Sequence, residues 1–408
     1  MNFSFFEVLL TIGITQGFVI AALIWQNKIR SVSKLLLSLV LMVFNLLCIK
    51  ILILTIGLWQ TQLLRYIPLS FELAIQPLIW LYISSLTIPD FRLSKKYLIH
   101  FLPFSISFAY SLLVYIVVLF QKNLVAKDGI ANSFYFNNVK EAEDYLSIIS
   151  SLLYWWLGLR LVLQYREWLY NNISQTDYPT YVWLKNVSIL MGVLIAGLTI
   201  DIVLDYFFHF GYNHFFHWQI FFIYLAILIY YMGFRGYQLA DKKIIILNKA
   251  LQPSILTAHN QYQEELINNH GLSEKFEEPP VIKNKKTKLS SEKEKQVEDA
   301  IITALEIKEL YLNPELNLQK LAKEINISSA IVSTVINSKF QTSFRTLINE
   351  YRVNKVKQKL ADPNSNRFSI LGIAYECGFN SEASFYRIFK ATAGISPKEY
   401  EKQQQSQR

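Results

Sequence analysis

The chain is 408 residues long, 52% hydrophobic and 15% aromatic, with only 17% charged residues, and its mean hydropathy is positive at +0.24. Those values are too apolar for an average soluble protein of two or three domains. Net charge is +9, unevenly placed: residues 281–408 hold 21 Lys/Arg against 14 Asp/Glu, and residues 1–280 hold 19 against 17. The two cysteines, Cys48 and Cys377, lie in very different segments, which excludes a disulfide framework, and a reducing interior suits the Cys377 end. Six histidines and two cysteines offer no zinc-finger spacing.

The apolar residues crowd residues 1–240. A bilayer crossing needs about 20 consecutive, mostly apolar residues. Seven stretches qualify, at 5–25, 34–57, 66–88, 98–121, 145–164, 183–208 and 215–236, and they predict a seven-helix transmembrane bundle. Trp25, Trp59, Tyr66, Trp155, Trp183 and Trp218 near their ends fit interfacial aromatic belts. The first stretch lacks a basic start and a small-residue cleavage site, so it reads as a retained span rather than a signal peptide.

Orientation follows from basic residues in short loops. Lys28, Arg30 and Lys34 follow the first stretch, Arg92, Lys95 and Lys96 the third, Arg166 and Lys185 flank the loop after the fifth, and Arg235, Lys242 and Lys243 follow the seventh. The alternate loops carry Arg65 alone, a mixed-charge segment at 122–144, and no basic residue at 207–217. The expected topology is an inner-membrane protein with its N-terminus outside and its C-terminal domain in the cytoplasm, where bacterial DNA lies.

With that orientation Glu7, Lys50, Glu72, Asp201 and Asp205 fall in the outer part of the bilayer, with His209, His214 and His217 beside them. Charge inside a membrane is costly and marks pairing, function or both. Two readings stand: one Lys50–carboxylate pair plus interfacial groups reaching for water, or an outward-facing polar pocket receiving a small-molecule or envelope signal. A metal site from Asp205, His209, His214 and His217 is chemically conceivable, but loop histidines are commonly interfacial, and no metal or other cofactor is expected.

Residues 241–290 read as a cytoplasmic linker. "SEKFEEPPVIKNKKTKLS" is polar, with paired prolines and the cluster Lys283, Lys285, Lys286 and Lys288. About 20 flexible residues reach roughly 25 Å, enough to clear the headgroups.

From Ser291 the periodicity becomes that of small soluble helices. Ser291 and Glu294 form a capping-box pattern opening a helix to about Tyr311. Asn317 caps a short helix through Glu324, and a third covers about 329–338. A basic helix follows at about 343–361, ended by Pro363 and Asn364. The pattern then repeats: Ser369 caps 370–376, Gly378 permits a turn, Asn380 caps 381–391, and Gly394 with Ser396-Pro397 opens a last helix. Each repeat is a helix, a tight turn and a second helix with small polar side chains outward. That is a helix-turn-helix, whose second helix enters a major groove. The two units span about 318–338 and 370–391.

One such pattern is weak evidence, since three-helix packing alone produces similar spacing. Here two lie in one chain, joined by a basic helix. "LQKLAKEINISSAIVSTVINSKF", "FRTLINEYRVNKVKQKL" and "IAYECGFNSEASFYRIFKATAGISPKEY" together resemble the DNA-binding domain of the AraC (arabinose regulator) family over about residues 291–402. The pairing with a multispan half is similar to membrane-bound AraC-type regulators of Bacteroidetes-like bacteria. The resemblance implies two readers on successive major grooves of double-stranded DNA, positioning RNA polymerase. It places Ala330, Ser333 and Thr334 of the first reader, and Glu382, Ala383, Ser384 and Arg387 of the second, toward bases. Arg387 suits a bidentate guanine contact and Glu382 accepts from cytosine, whereas the first set offers little beyond a thymine methyl contact. Lys339, Arg345, Lys355 and Lys390 are the candidate phosphate contacts, which fix register. Gln341 departs from the family pattern, which has glycine there, as a left-handed backbone would favour.

These residues lead to an all-α, membrane-bound transcriptional regulator, acting as a homodimer or through presentation of its tail. A membrane transporter or receptor with an accessory DNA-binding tail is the alternative, and a structural tether of DNA to membrane is a third class. An enzyme is not expected, because no G-x-S-x-G, Walker A or H-E-x-x-H pattern occurs.

Overall fold

The computed structural model describes residues 3–26, 31–88, 91–175, 178–208, 215–240, 290–362 and 368–406. His209, His214 and all of the expected linker except Ser290 lie outside the described residues. The fold is all-helical; among the described residues the only extended pairing is an isolated antiparallel bridge between Ile173 and Asn317. Contacts divide the chain into two units, Met1–Leu163 with Pro179–Ala250, and Gln164–Tyr178 with Leu251–Arg408.

The first unit is built from α1 (Phe5–Gln26), α2 (Val32–Thr55), α3 (Glu72–Thr87), α4 (Leu102–Leu119), α5 (Leu124–Ser133), α6 (Phe136–Asn172, whose last residues belong to the second unit), α7 (Pro179–Phe208) and α8 (Phe216–Ala240). α2 packs against α1, α3 and α8, and α7 packs against α8. Small residues let these backbones approach closely. A Cβ on Gly13 would lie 2.8 Å from Ala226 Cβ, and one on Gly233 would lie 2.7 Å from Ile20. The outward faces stay apolar: Ile12, Val19 and Leu23 on α1, Ile106, Leu113 and Ile116 on α4, and Ile189, Val193 and Ile200 on α7 are all exposed.

Six described helical stretches are long and apolar enough to cross a bilayer: α1, α2, α6, α7, α8, and α4 with the 3-10 turn Lys95–Phe101 before it. The third expected stretch, 66–88, forms a shorter helix. α3 has 16 residues and rises about 24 Å, short of the roughly 30 Å hydrocarbon core. Pro68 holds the residue before it extended, and Tyr66 sits at φ 65, so helix begins only at Glu72. The segment 122–144, expected as a loop, is largely helical. Asn123 caps α5 by accepting from the Val125 amide at 3.0 Å, and α6 starts nine residues before the expected span, with 37 residues in all.

The second unit holds α9 (Ser291–Glu306), a 3-10 turn at Leu310–Leu312, α10 (Leu318–Glu324), α11 (Ser329–Lys339), α12 (Phe344–Ala361), α13 (Ile370–Glu376), α14 (Glu382–Ala393) and α15 (Pro397–Ser406). Local chemistry sets most of the ends. Asn317 accepts from the Lys320 amide at 2.8 Å, and Ser369 accepts from the Gly372 amide at 3.0 Å. Ser396 and Glu399 exchange side-chain caps at 2.8 and 3.2 Å, a reciprocal capping box. Two expected caps are displaced by one residue: Ser290 rather than Ser291 caps α9, and Ser381 rather than Asn380 caps α14. α9 also ends before the expected Tyr311, because Glu309 turns left-handed at φ 47.

Two cores form. Val297, Ile301, Leu305, Leu321, Val332, Val335 and Ile336 enclose the first with Phe344, Leu347 and Ile348. Val353, Val356 and Leu360 build the second with Ile373, Cys377, Phe379, Phe385 and Phe389. α12 therefore supplies both cores from successive turns, so neither reader is complete without it. Burial pushes the Cys377 thiol up to about 11, which keeps it protonated and unreactive at neutral pH.

Backbone conformation yields one paired expectation. Gly378 has φ 89, and a Cβ there would meet Tyr311 O at 2.5 Å and Arg352 Nε at 2.9 Å. Gln341 takes the left-handed φ of 50 that a glycine would favour. Denaturation of the full chain, followed by the signal of the second unit, is expected to show Gly378→Ala destabilised by about 2 kcal/mol or more. Gln341→Gly is expected to gain about 0.5–1 kcal/mol, the left-handed cost minus the glycine entropy.

Candidate nucleic-acid interface

The connecting helix α12 places a guanidinium at the junction of the two readers. Arg352 is 2% exposed, yet it carries a full charge. Its Nε donates to Tyr311 O at 2.8 Å and its Nη2 to Asn313 O at 2.8 Å, with Ser174 Oγ at 3.3 Å. Burial pushes its pKa down to about 10, so the carbonyls offset a real desolvation cost, and the group stays protonated at neutral pH. The turn bearing those carbonyls is itself fixed by Lys355, which donates to Glu309 at 2.5 Å and holds that carboxyl below its ordinary range. Arg352→Lys leaves at least one buried carbonyl without its donor. A loss of about 1–3 kcal/mol in denaturation of the second unit is the expected result.

On this frame the reading helices present unequal surfaces. In the first, α11, Ala330 and Thr334 are exposed and Ser333 half-buried. Thr334 Oγ1 donates back to Ala330 O at 2.9 Å, which leaves little that reads a base edge. In the second, α14, Glu382, Ala383 and Arg387 are exposed. Ser384 is not: it is 2% exposed, its amide donates to the Ser381 hydroxyl at 3.3 Å, and its own hydroxyl lies 3.3 Å from the same oxygen. Its place is in the cap, directly before the buried Phe385, rather than toward a groove. Among the described residues Arg387 forms no ion pair.

The cations expected at phosphates divide. Lys390 is exposed. Lys339 pairs with Glu294 at 3.0 Å and Lys355 with Glu309. Lys359, which sequence reasoning counted only as part of a basic helix, pairs with Glu376. Arg345 is 9% exposed, its guanidinium 4.5 Å from the Tyr170 ring and 5.4 Å from that of Tyr178. Arg345 is thus turned into the protein, because two tyrosines of the 164–178 segment offer it a cation–π face. No periodicity in the tail signals that partner, which lies far away in sequence.

The ionisable residues expected to share one signal pocket separate into three places. Glu7 accepts from the Ser4 amide at 2.7 Å and caps the start of α1. Asp205 accepts from Trp218 Nε1 at 2.7 Å and lies 2.9 Å from His217 Nε2, with Asp201 5% exposed one turn before it. Lys50 pairs with Glu72. Near that last pair stands a group that sequence reasoning assigned to a loop. Lys140 Nζ donates to Ser70 Oγ, Ser111 Oγ and Glu143, each at 2.7 Å, and Ser107 donates to Glu143 at 2.6 Å. The missing signal was the helical start of α6, which stacks Lys140 and Glu143 on one face at i, i+3.

Comparison with known proteins bears on the tail alone. A family model described as a helix-turn-helix domain matches residues 321–403. The melibiose operon regulatory proteins of Escherichia coli K12 and of Escherichia coli O6:H1 are each 29% identical over 93 residues, covering 23% of this chain and 30% of each relative. The match thus takes in under a third of those regulators. A solved structure from Listeria innocua, of a protein of unknown function, is 24% identical and covers 26% of this chain and 93% of its own, with a TM-score of 0.23. Residues 321–403 match a helix-turn-helix domain, in agreement with the two helix–turn–helix units of the second unit.

Proposed function

We propose that this chain is a membrane-bound, sequence-specific transcriptional regulator that couples an outer or membrane signal to promoter binding. One observation carries the reading: a paired helix-turn-helix with an exposed arginine on its second reading helix shares a chain with six long apolar helical stretches whose outward faces are apolar. Surfaces of that kind are soluble in lipid and not in water. With six crossings, Arg92, Lys95 and Lys96 before α4, Arg166 and Lys185 about the α6–α7 connection, and Arg235 near the end of α8 fall on one side. That supports an inner-membrane location with the N-terminus, and with it the tail, on the cytoplasmic side. There it meets duplex DNA and RNA polymerase, as a homodimer or as single chains concentrated by the membrane.

Arg387 and Glu382 are the base readers of the second helix, and Lys390 holds a phosphate. The charged groups of the first unit, Lys50–Glu72 with Lys140–Glu143 and separately Asp201, Asp205 and His217, are the candidate receivers of the signal, because intramembrane charge is retained where it acts.

Selection of bound duplexes from a random pool, followed by titration, tests the reader. Arg387→Ala is expected to weaken the selected site by about 1–3 kcal/mol and to relax one base position. Lys390→Ala is expected to weaken all sequences alike and lower the salt slope by about 1. Equal affinity and preference in Arg387→Ala would remove it as a reader. Cysteine labelling at Tyr400 is expected from the cytoplasmic side alone, and labelling from outside would overturn the topology. In a promoter reporter, the pair Asp201→Asn and Asp205→Asn is expected to change the response to stimulus while leaving DNA binding intact.

A further inference from the structure

The segment that counts with the reading domain, Gln164–Tyr178, belongs to a stretch that sequence logic treats as a span end and a short loop. It is seated on the domain by several kinds of contact. Ile173 forms the antiparallel bridge with Asn317. Ser174 is fully buried; its hydroxyl donates to Leu316 O and lies 3.3 Å from Arg352 Nη2, and its carbonyl accepts from Asn349 Nδ2 at 3.5 Å. Tyr178 folds back to donate to Ile173 O at 2.9 Å. The Arg345 guanidinium lies over the rings of both Tyr170 and Tyr178, at 4.5 and 5.4 Å.

It lies on elements that this motif uses against a duplex. Asn317 caps α10, the first helix of the first reader, and that helix crosses the DNA backbone in this motif. Arg345 lies on α12, the helix that connects the two readers. The segment therefore meets the first reader and the connecting helix at once. With the segment seated, Arg345 is 9% exposed, which leaves little of its guanidinium open to a phosphate.

We infer that Gln164–Tyr178 is an intramolecular occupant of the DNA-binding surface, which duplex DNA displaces in order to engage both readers. The inference rests on the proposed function, and it adds a regulatory residue set: Tyr170, Ile173, Ser174 and Tyr178 on the segment, Asn317, Arg345, Asn349 and Arg352 on the domain. It reassigns Arg345 from a standing phosphate contact to a group shared by two competitors. The segment continues from α6, the helix that carries Lys140 and Glu143. A signal that shifts the hold of this segment changes how often the DNA surface is open.

A reversible lock tests this on the full chain in detergent or nanodiscs. Residues paired across an antiparallel bridge have Cα atoms about 4.5–5.5 Å apart, within the reach of a disulfide. The double variant Ile173→Cys with Asn317→Cys is expected to form that disulfide under mild oxidant without DNA, and more slowly with duplex present. The probe is a fluorescent, mixed-sequence duplex of ~30 base pairs at low salt, long enough for two successive major grooves. Locked protein is expected to bind it about tenfold more weakly than the same protein reduced, within the usual range of coupling between sites. Asn317→Cys alone, oxidised and reduced, controls for the lost cap. Tyr170→Ala is expected to bind more tightly than the wild type.

Failure to form the disulfide would overturn the docked segment. Locked and reduced forms of equal affinity, with Tyr170→Ala unchanged, would overturn the competition. Reduced protein that binds no duplex at all would instead refute the proposed function, and the segment would then be judged by the cross-link alone.

Discussion

The geometry of the reading domain depends on one buried guanidinium. Arg352 lies on α12 between the residues that this helix gives to the two cores, and its guanidinium is buried there. It donates to main-chain carbonyls, at Tyr311 and Asn313, rather than to acidic side chains. A carbonyl partner satisfies the donors without bringing in a second charge that would also need desolvation. The close approach of the Gly378 turn to the same guanidinium and to Tyr311 O ties the second reader to the first. Angle and spacing between the reading helices thus follow from one side chain and the absence of another.

Much of this domain was legible from the chain itself. Asn317 and Ser369 occupy the caps that their chemistry favours, Gly394 closes α14 in a left-handed turn rather than opening the last helix, and Gln341 adopts the left-handed backbone expected at a glycine position. The shifts at Ser290 and Ser381 are the ordinary ambiguity of adjacent hydroxyl and amide caps, since each neighbour is chemically competent. Ser384 and Arg345 were not legible. Position on a helix gives the face of a residue, but the partner that covers that face comes from elsewhere. For Ser384 it is the cap three residues earlier, and for Arg345 it is a pair of tyrosines some 170 residues distant in sequence.

The first unit divides along similar lines. Long apolar runs announce α1, α2, α7 and α8 directly, because in such segments composition alone decides. The third run misled by its mixture of polar residues and Pro68, which delay the helix until Glu72. The mixed-charge segment before the fifth run reads as a solvated loop by composition. In three dimensions it places Lys140 and Glu143 beside Ser70, Ser107 and Ser111 of other segments. Those hydroxyls are silent in sequence, since serine within an apolar helix usually bonds its own backbone, as Ser84 and Ser188 do here.

The inequality of the two reading helices bears on the kind of sequence the domain selects. α11 offers an alanine, a half-buried serine and a threonine bonded to its own helix, while α14 offers a carboxylate and a guanidinium. One chain bearing a generalist and a discriminating reader has no internal two-fold axis. Under the proposed function its preferred site is directional, rich in information at one end and permissive at the other. Inverting such a site relative to the start of transcription would turn the whole protein around on the DNA.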